Sequence, residues 1–198
     1  MEKKFILTDK FVINSFGIKL FQIKCTKSFK YAQKGDFGGY VEKEGNLGQE
    51  NDAWVFGNAR VFGNARVSSN ARVSGDALVS DNALVSGDAW VSGNAWVSSN
   101  AWVSGNARVS GNAWVSGNAD IENDNEHCGF DGFGSCNRHT HAYMTKEKKV
   151  EIICGCFRGS IEEFEKKVEE THSGTVYEKQ YKSIINVIKI KFGLTDFT

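Results

Sequence analysis

From Asn51 to Glu122 the apolar and polar positions follow a six-residue period without a slip. Written from its aliphatic position, the phrase is Val-Ser-Gly-Asn-Ala-x. Ala recurs at every sixth residue from Ala53 to Ala119. Two residues after each comes Val, from Val55 to Val115, with Ile121 at the twelfth place. A fixed period of this kind marks a solenoid and takes precedence over local propensity. Three short strands per turn make a triangular prism whose successive turns hydrogen-bond about 4.8 Å apart. Alternation along each strand turns Ala and Val inward and the residue between them outward. The Gly-Asn, Gly-Asp, Ser-Asn and Asp-Asn pairs fall at the corners, where positive φ favours Gly and Asn. Asn side chains there can ladder between turns. Twelve hexads predict about four coils, a prism roughly 20 Å long.

The flanks read differently. Residues 1–38 form an N-terminal β lead-in, with short strands at 5–7, 11–13 and 17–24. Val41 and Leu47 lie on the six-residue period that continues into Ala53, so the coils begin near Gly39 with an irregular first turn and run to 122. The Gly-rich run Gly35 to Gly39 lacks both the spacing and the following helix of a phosphate cradle. Residues 123–198 form a cap: a Gly-rich loop over 123–138, a hairpin of about 139–144 and 150–157, and two helices. The first helix, 161–171, opens with a Ser160/Glu163 capping box; the second lies near 175–191. Such a cap shields the open solenoid edge, which would otherwise invite aggregation.

The phrase Val-Ser-Gly-Asn-Ala-x resembles the hexapeptide-repeat, left-handed parallel β-helix proteins, whose pattern it matches in every hexad. More narrowly, Gly-Asp-Phe-Gly-Gly-Tyr-Val-Glu-Lys-Glu-Gly-Asn-Leu before the Asn-Ala-Arg-Val repeats is similar to a phage and prophage group often labelled acyltransferases. The segment Ile152 to His172, with Cys-Gly-Cys-Phe near its start, is similar to a tail found in the same group. The resemblance implies a mainly β fold, a left-handed parallel β-helix with a small C-terminal α+β cap. It also implies a homotrimer with prisms side by side.

Composition narrows the function. The 198 residues carry a formal net charge of zero, which argues against a general nucleic-acid or anionic-membrane binder. No apolar run of about 18 residues is present, and the N-terminus does not read as a signal peptide. The reading is a cytoplasmic protein, acting in a bacterial host cell if the phage resemblance holds, with its five Cys kept reduced.

Outward residues 18 apart stack on one face. The columns are Trp54-Arg72-Trp90-Arg108, then Arg60-Leu78-Trp96-Trp114, then Arg66-Leu84-Trp102-Asp120. Ser flanks most of them, with Phe56 and Phe62 in that place at the start. A monomer rarely leaves so many Trp in water, so subunit packing is expected. Indole planes and guanidinium forks together also suit a small anionic, nucleotide-like ligand. Arg60, Arg66, Arg72 and Arg108, with Trp54, Trp90, Trp96, Trp102 and Trp114, are therefore the candidate ligand-binding residues, in grooves between subunits.

Enzymes of the resembled family usually carry a His on or beside the β-helix as general base. Here no His precedes His127, which argues against an acyltransferase acting on acyl-coenzyme A, and no cofactor is expected. Cys128, Cys136, His139, His141, Cys154 and Cys156 are weak metal candidates, because their spacings lack the C-x2-C pairs of structural zinc. The expectation is a non-enzymatic homotrimer that sequesters a nucleotide-like signal. An acyltransferase and a structural virion module are the alternatives.

Overall fold

The computed structural model describes residues 2–194. A nine-residue strand β1 (Phe5–Ile13) pairs antiparallel with β2 (Lys19–Cys25), which pairs with β3 (Phe37–Val41). The two short runs expected at 5–7 and 11–13 are thus one strand, broken only by a register shift between Leu7 and Phe11. Twelve two-residue strands follow, β4 (Trp54–Val55) through β15 (Asp120–Ile121), one per hexad.

These strands stack in three parallel sheets, so the predicted β-solenoid is present. Val41, Val61, Val79, Val97 and Val115 form one column. Val55, Val73, Val91 and Val109 form a second. Leu47, Val67, Val85, Val103 and Ile121 form the third. The lead-in turn therefore adds a rung below the four coils of regular hexads. Every Ala and Val of the repeat is buried. The core is narrow and is filled by small and β-branched side chains, which fit closely spaced strands.

In the first turn the spacing differs. Tyr40 pairs with Arg60, Val41 with Val61 and Leu47 with Val67, each 20 residues on rather than 18. Val41 and Leu47 thus take valine positions, not the alanine phase their spacing to Ala53 suggests. Two extra residues before Trp54 absorb the difference, with Asn51 at φ 55°. The lead-in folds over this turn, and Phe5, Ile23, Cys25 and Ala32 join the solenoid core. Buried Lys4 closes the mouth, donating from Nζ to the carbonyls of Glu50, Asn51 and Ala53 at 3.3, 3.1 and 2.8 Å.

At each corner the first residue of the pair takes the left-handed conformation. It is Gly in eight hexads but Asn51, Ser69, Asp81 and Ser99 in the other four, at φ 55–59°. The second residue builds the ladder. Asn64 donates to Asn82, which donates to Asn100, both at 3.2 Å, and Asn94 donates to Asn112 at 3.3 Å.

The C-terminal cap is a four-stranded antiparallel meander of β16 (His127–Phe133), β17 (Arg138–Met144), β18 (Val150–Cys154) and β19 (Phe157–Gly159). The expected hairpin is thus two strands short: part of the Gly-rich stretch read as loop is itself a strand, and the run expected at 150–157 turns at Gly155, φ 59°, into two strands. Gly129 is required there: a Cβ would lie 2.7 Å from the ring of His139. One face of the meander sets Tyr143 and Ile153 into the solenoid core. The other sets Ala142, Ile152 and Cys154 against helices α1 (Ile161–His172) and α2 (Val176–Lys191). The capping box forms as predicted, with Ser160 Oγ accepting from the Glu163 N–H at 3.2 Å and Glu163 Oε2 accepting from the Ser160 N–H at 2.7 Å. Among the described residues no helix is long and apolar enough to cross a membrane.

Candidate functional site

Strand alternation leaves one outward side chain per hexad, and the parallel register places these in straight columns. Trp54, Arg72, Trp90 and Arg108 are direct neighbours on one face. Arg60, Leu78, Trp96 and Trp114 share the second. Arg66, Leu84, Trp102 and Asp120 share the third. Because Arg60, Arg66 and Arg72 belong to consecutive hexads, they put one cation on each face of a single coil.

The contacts within the columns are specific. Arg72 Cζ lies 4.8 Å from the Trp90 ring and 5.2 Å from that of Tyr31, so its guanidinium sits between two aromatic planes. Trp96 and Trp114 are parallel, 3° apart with centroids at 5.4 Å. Trp90, Trp96 and Trp102 each donate the indole N–H to Ser74, Ser80 or Ser86 one coil below, at 2.9, 3.0 and 3.2 Å. The serines flanking the aromatic columns thus orient the rings as well as making room for them. Trp90, Trp102 and Trp114 remain about two-fifths exposed.

Trp54 departs from the expectation. Its ring is buried, 5.4 Å from that of Phe29 and 6.4 Å from that of Phe5, because the lead-in folds over the first turn. It is a core residue and cannot line an open groove. Phe56 and Phe62 are covered in the same way by Tyr31 and Phe16.

Among the described residues none of Arg60, Arg66, Arg72 and Arg108 pairs with a carboxylate, although ion pairs occur elsewhere, such as Arg158–Glu151 and Lys189–Glu165. The Nε–H groups of Arg60 and Arg72 are shielded from water and have no acceptor. A buried donor without a partner carries a desolvation cost that an incoming acceptor would remove.

The cap residues considered as metal ligands separate onto the two faces of the meander. His127, His139 and His141 face the solenoid, where His127 and His141 rings are 5.3 Å apart and His139 and His141 rings 5.6 Å. Cys154 faces the helices, accepting from the Thr140 hydroxyl at 3.2 Å. Cys128 also packs on that side, its thiol pushed up to about 11 by burial. Cys136 and Cys156 are exposed. Residues i and i+1 of a strand point to opposite faces, so His139 and His141 lie on the side of the sheet opposite Cys128 and Cys154. No group of three such ligands among the described residues is arranged to hold a metal ion.

The histidines instead form a relay. The Trp114 carbonyl can only accept, so His141 Nδ1 donates to it at 3.1 Å. Burial, then the neighbouring His127, push the His141 pKa down to about 3. His141 is therefore neutral, and its Nε2 accepts from His127 Nδ1 at 3.1 Å. Burial lowers the His127 pKa as well. His139 Nδ1 donates to the Asp131 carboxylate at 2.8 Å, a bond that holds the Asp131 pKa below its usual value.

The family model described as YdcK beta solenoid repeat matches residues 53–69, 71–87, 78–93 and 101–117, all of them hexads of the prism. No curated protein matches the sequence. Three parallel sheets in an 18-residue register and this match agree: the chain is a repeat β-helix protein, similar in its coils to the YdcK beta solenoid repeat.

Proposed function

We propose that the protein is a non-enzymatic binding module that works through its outward columns. Three copies pack their prisms side by side as a homotrimer and hold a small anionic, nucleotide-like ligand in the grooves between them. The observation that carries this reading is the set of solenoid arginines without carboxylate partners, one of them stacked between aromatic rings. Apolar columns of Leu84 and Trp102, or of Leu78, Trp96 and Trp114, supply the subunit contact, and Arg with exposed Trp supplies the ligand contact. The resemblance to a phage group suggests the role: sequestering a nucleotide-like signal of a bacterial host.

Sedimentation together with calorimetry against cyclic dinucleotides and ADP-ribose-type nucleotides tests the proposal. A trimer that binds one of them, with binding weakened at least about tenfold in Arg72→Ala and Arg108→Ala, is the expected result. A monomer, no binding by any nucleotide, or binding unchanged in both variants would overturn it.

One observation favours a second reading. The His139–Asp131 pair has the arrangement of an oriented general base, and His139 borders a cavity between the last coil and the cap. Turnover of acyl-coenzyme A that is abolished in His139→Ala would make the chain an acyltransferase instead.

A further inference from the structure

Where the second column ends, the cap does not close tightly on it. A cavity of about 240 Å³ lies between the last coil and the meander, lined by Asn112, Trp114, Arg138, His139, His141 and Ile153. One face of the Trp114 indole rests on Trp96; the cavity is bounded by Trp114 but not by Trp96, so it lies on the opposite side. The Trp114 carbonyl is held by His141. Unlike Trp90, Trp96 and Trp102, Trp114 donates its indole N–H to no residue among those described. Arg138 reaches the site from the rim. Its guanidinium crosses Gly155, where a Cβ would fall 2.3 Å from Nη1, and it pairs with no carboxylate among the described residues.

We infer that this cavity is a binding site for a single planar aromatic ring bearing an anionic group. The ring continues the tryptophan stack where the next rung would stand, between Trp114 and the wall formed by Ile153 and His141. The carboxylate or phosphate emerges at the rim toward Arg138. Size supports one ring: an apolar cavity of about 150 Å³ takes up benzene, and this one is larger but too small for a dinucleotide. Chemistry supports the rest. An indole face binds any aromatic ring by stacking, a guanidinium without a carboxylate partner binds the anion, and the free indole N–H can meet a ring heteroatom. Every residue that lines it belongs to one chain, and neither Arg72 nor Arg108 borders it.

Calorimetry and tryptophan fluorescence on the full chain test it, using indole-3-acetate, AMP and uncharged indole as probes. Indole-3-acetate or AMP binds more tightly than indole, and Arg138→Gln abolishes that preference. Trp114→Leu, an outward residue the repeat already accepts at Leu78 and Leu84, weakens binding at least about tenfold. Arg72→Ala and Arg108→Ala leave it unchanged, which separates this site from the inter-subunit grooves. Saturation by AMP alone identifies a phosphate ligand, and by indole-3-acetate alone a carboxylate. Failure of all three probes up to about 5 mM would overturn the inference. So would wild-type affinity in Trp114→Leu, or, should that variant not fold, an undiminished preference for the acid in Arg138→Gln.

Discussion

The guanidinium of Arg72 lies 4.8 Å from the ring of Trp90, the residue directly beside it on the next coil. Two side chains 18 positions apart in the chain thus behave as an adjacent pair. Arg72→Ala and Trp90→Ala should couple. A double-mutant cycle by thermal or denaturant unfolding is expected to give about 0.5–2 kcal/mol, the range for a partly desolvated cation–π contact. Additive effects within about 0.3 kcal/mol would show that the stack contributes nothing to stability.

Corner and column positions should differ sharply in tolerance. Gly75 stands at φ 70°, and a Cβ there would lie 2.9–3.0 Å from the Gly93 backbone. Gly75→Ala is expected to cost about 2 kcal/mol or more, from left-handed strain plus a backbone shift. Trp102→Leu, on an exposed column, should change stability by less than about 1 kcal/mol. Comparable losses in the two would mean that the outward columns are structural.

Acid should loosen the cap before the coils. The His141 pKa is depressed to about 3 and that of His127 is also lowered, against 6.5 for an unburied histidine. Between those values the unfolded chain binds protons that the folded chain refuses. Their stabilisation is complete above pH 6.5 and is lost as pH falls; for His141 the loss extends toward about pH 3, at up to about 1.4 kcal/mol per pH unit. Hydrogen-exchange protection, taken relative to the intrinsic exchange rate at each pH, should fall first in the meander and the last coil between pH 7 and 4. His141→Asn should flatten the dependence.

Lys4 acts in another pH range. Burial pushes its pKa down to about 8 from 10.5, so between those values the folded chain binds fewer protons than the unfolded one. Folding stability should rise as pH climbs from 8 to 10.5. Lys4→Met, which removes the titrating group, should lose that rise in denaturant titrations at pH 8, 9 and 10.

The coils are legible in the sequence because the repeat is a local rule applied twelve times. Ala and Val inward, Gly or Asn at corners and one variable residue outward leave the columns as arithmetic, and the 18-residue register follows. Legibility fails where the rule does. Residues 127–133 read as loop because Gly129 and Gly132 carry no strand propensity, yet Gly129 is there to admit the His139 ring. Trp54 reads as an outward platform because its hexad is regular; no spacing announces that Phe5 and Phe29 cover it.

Period and side-chain size are enough to dictate the solenoid, its three sheets and the residues on each outward column, since they alone set what points inward. Which of those residues stay accessible is a matter of how the non-repeating ends fold back on the repeat. That folding buries Trp54 beneath the lead-in and divides the cap histidines from the cysteines by the two faces of one sheet. It also leaves Trp114 facing a cavity. Contacts between segments far apart in the chain carry no periodic signature, so only the folded molecule reveals them.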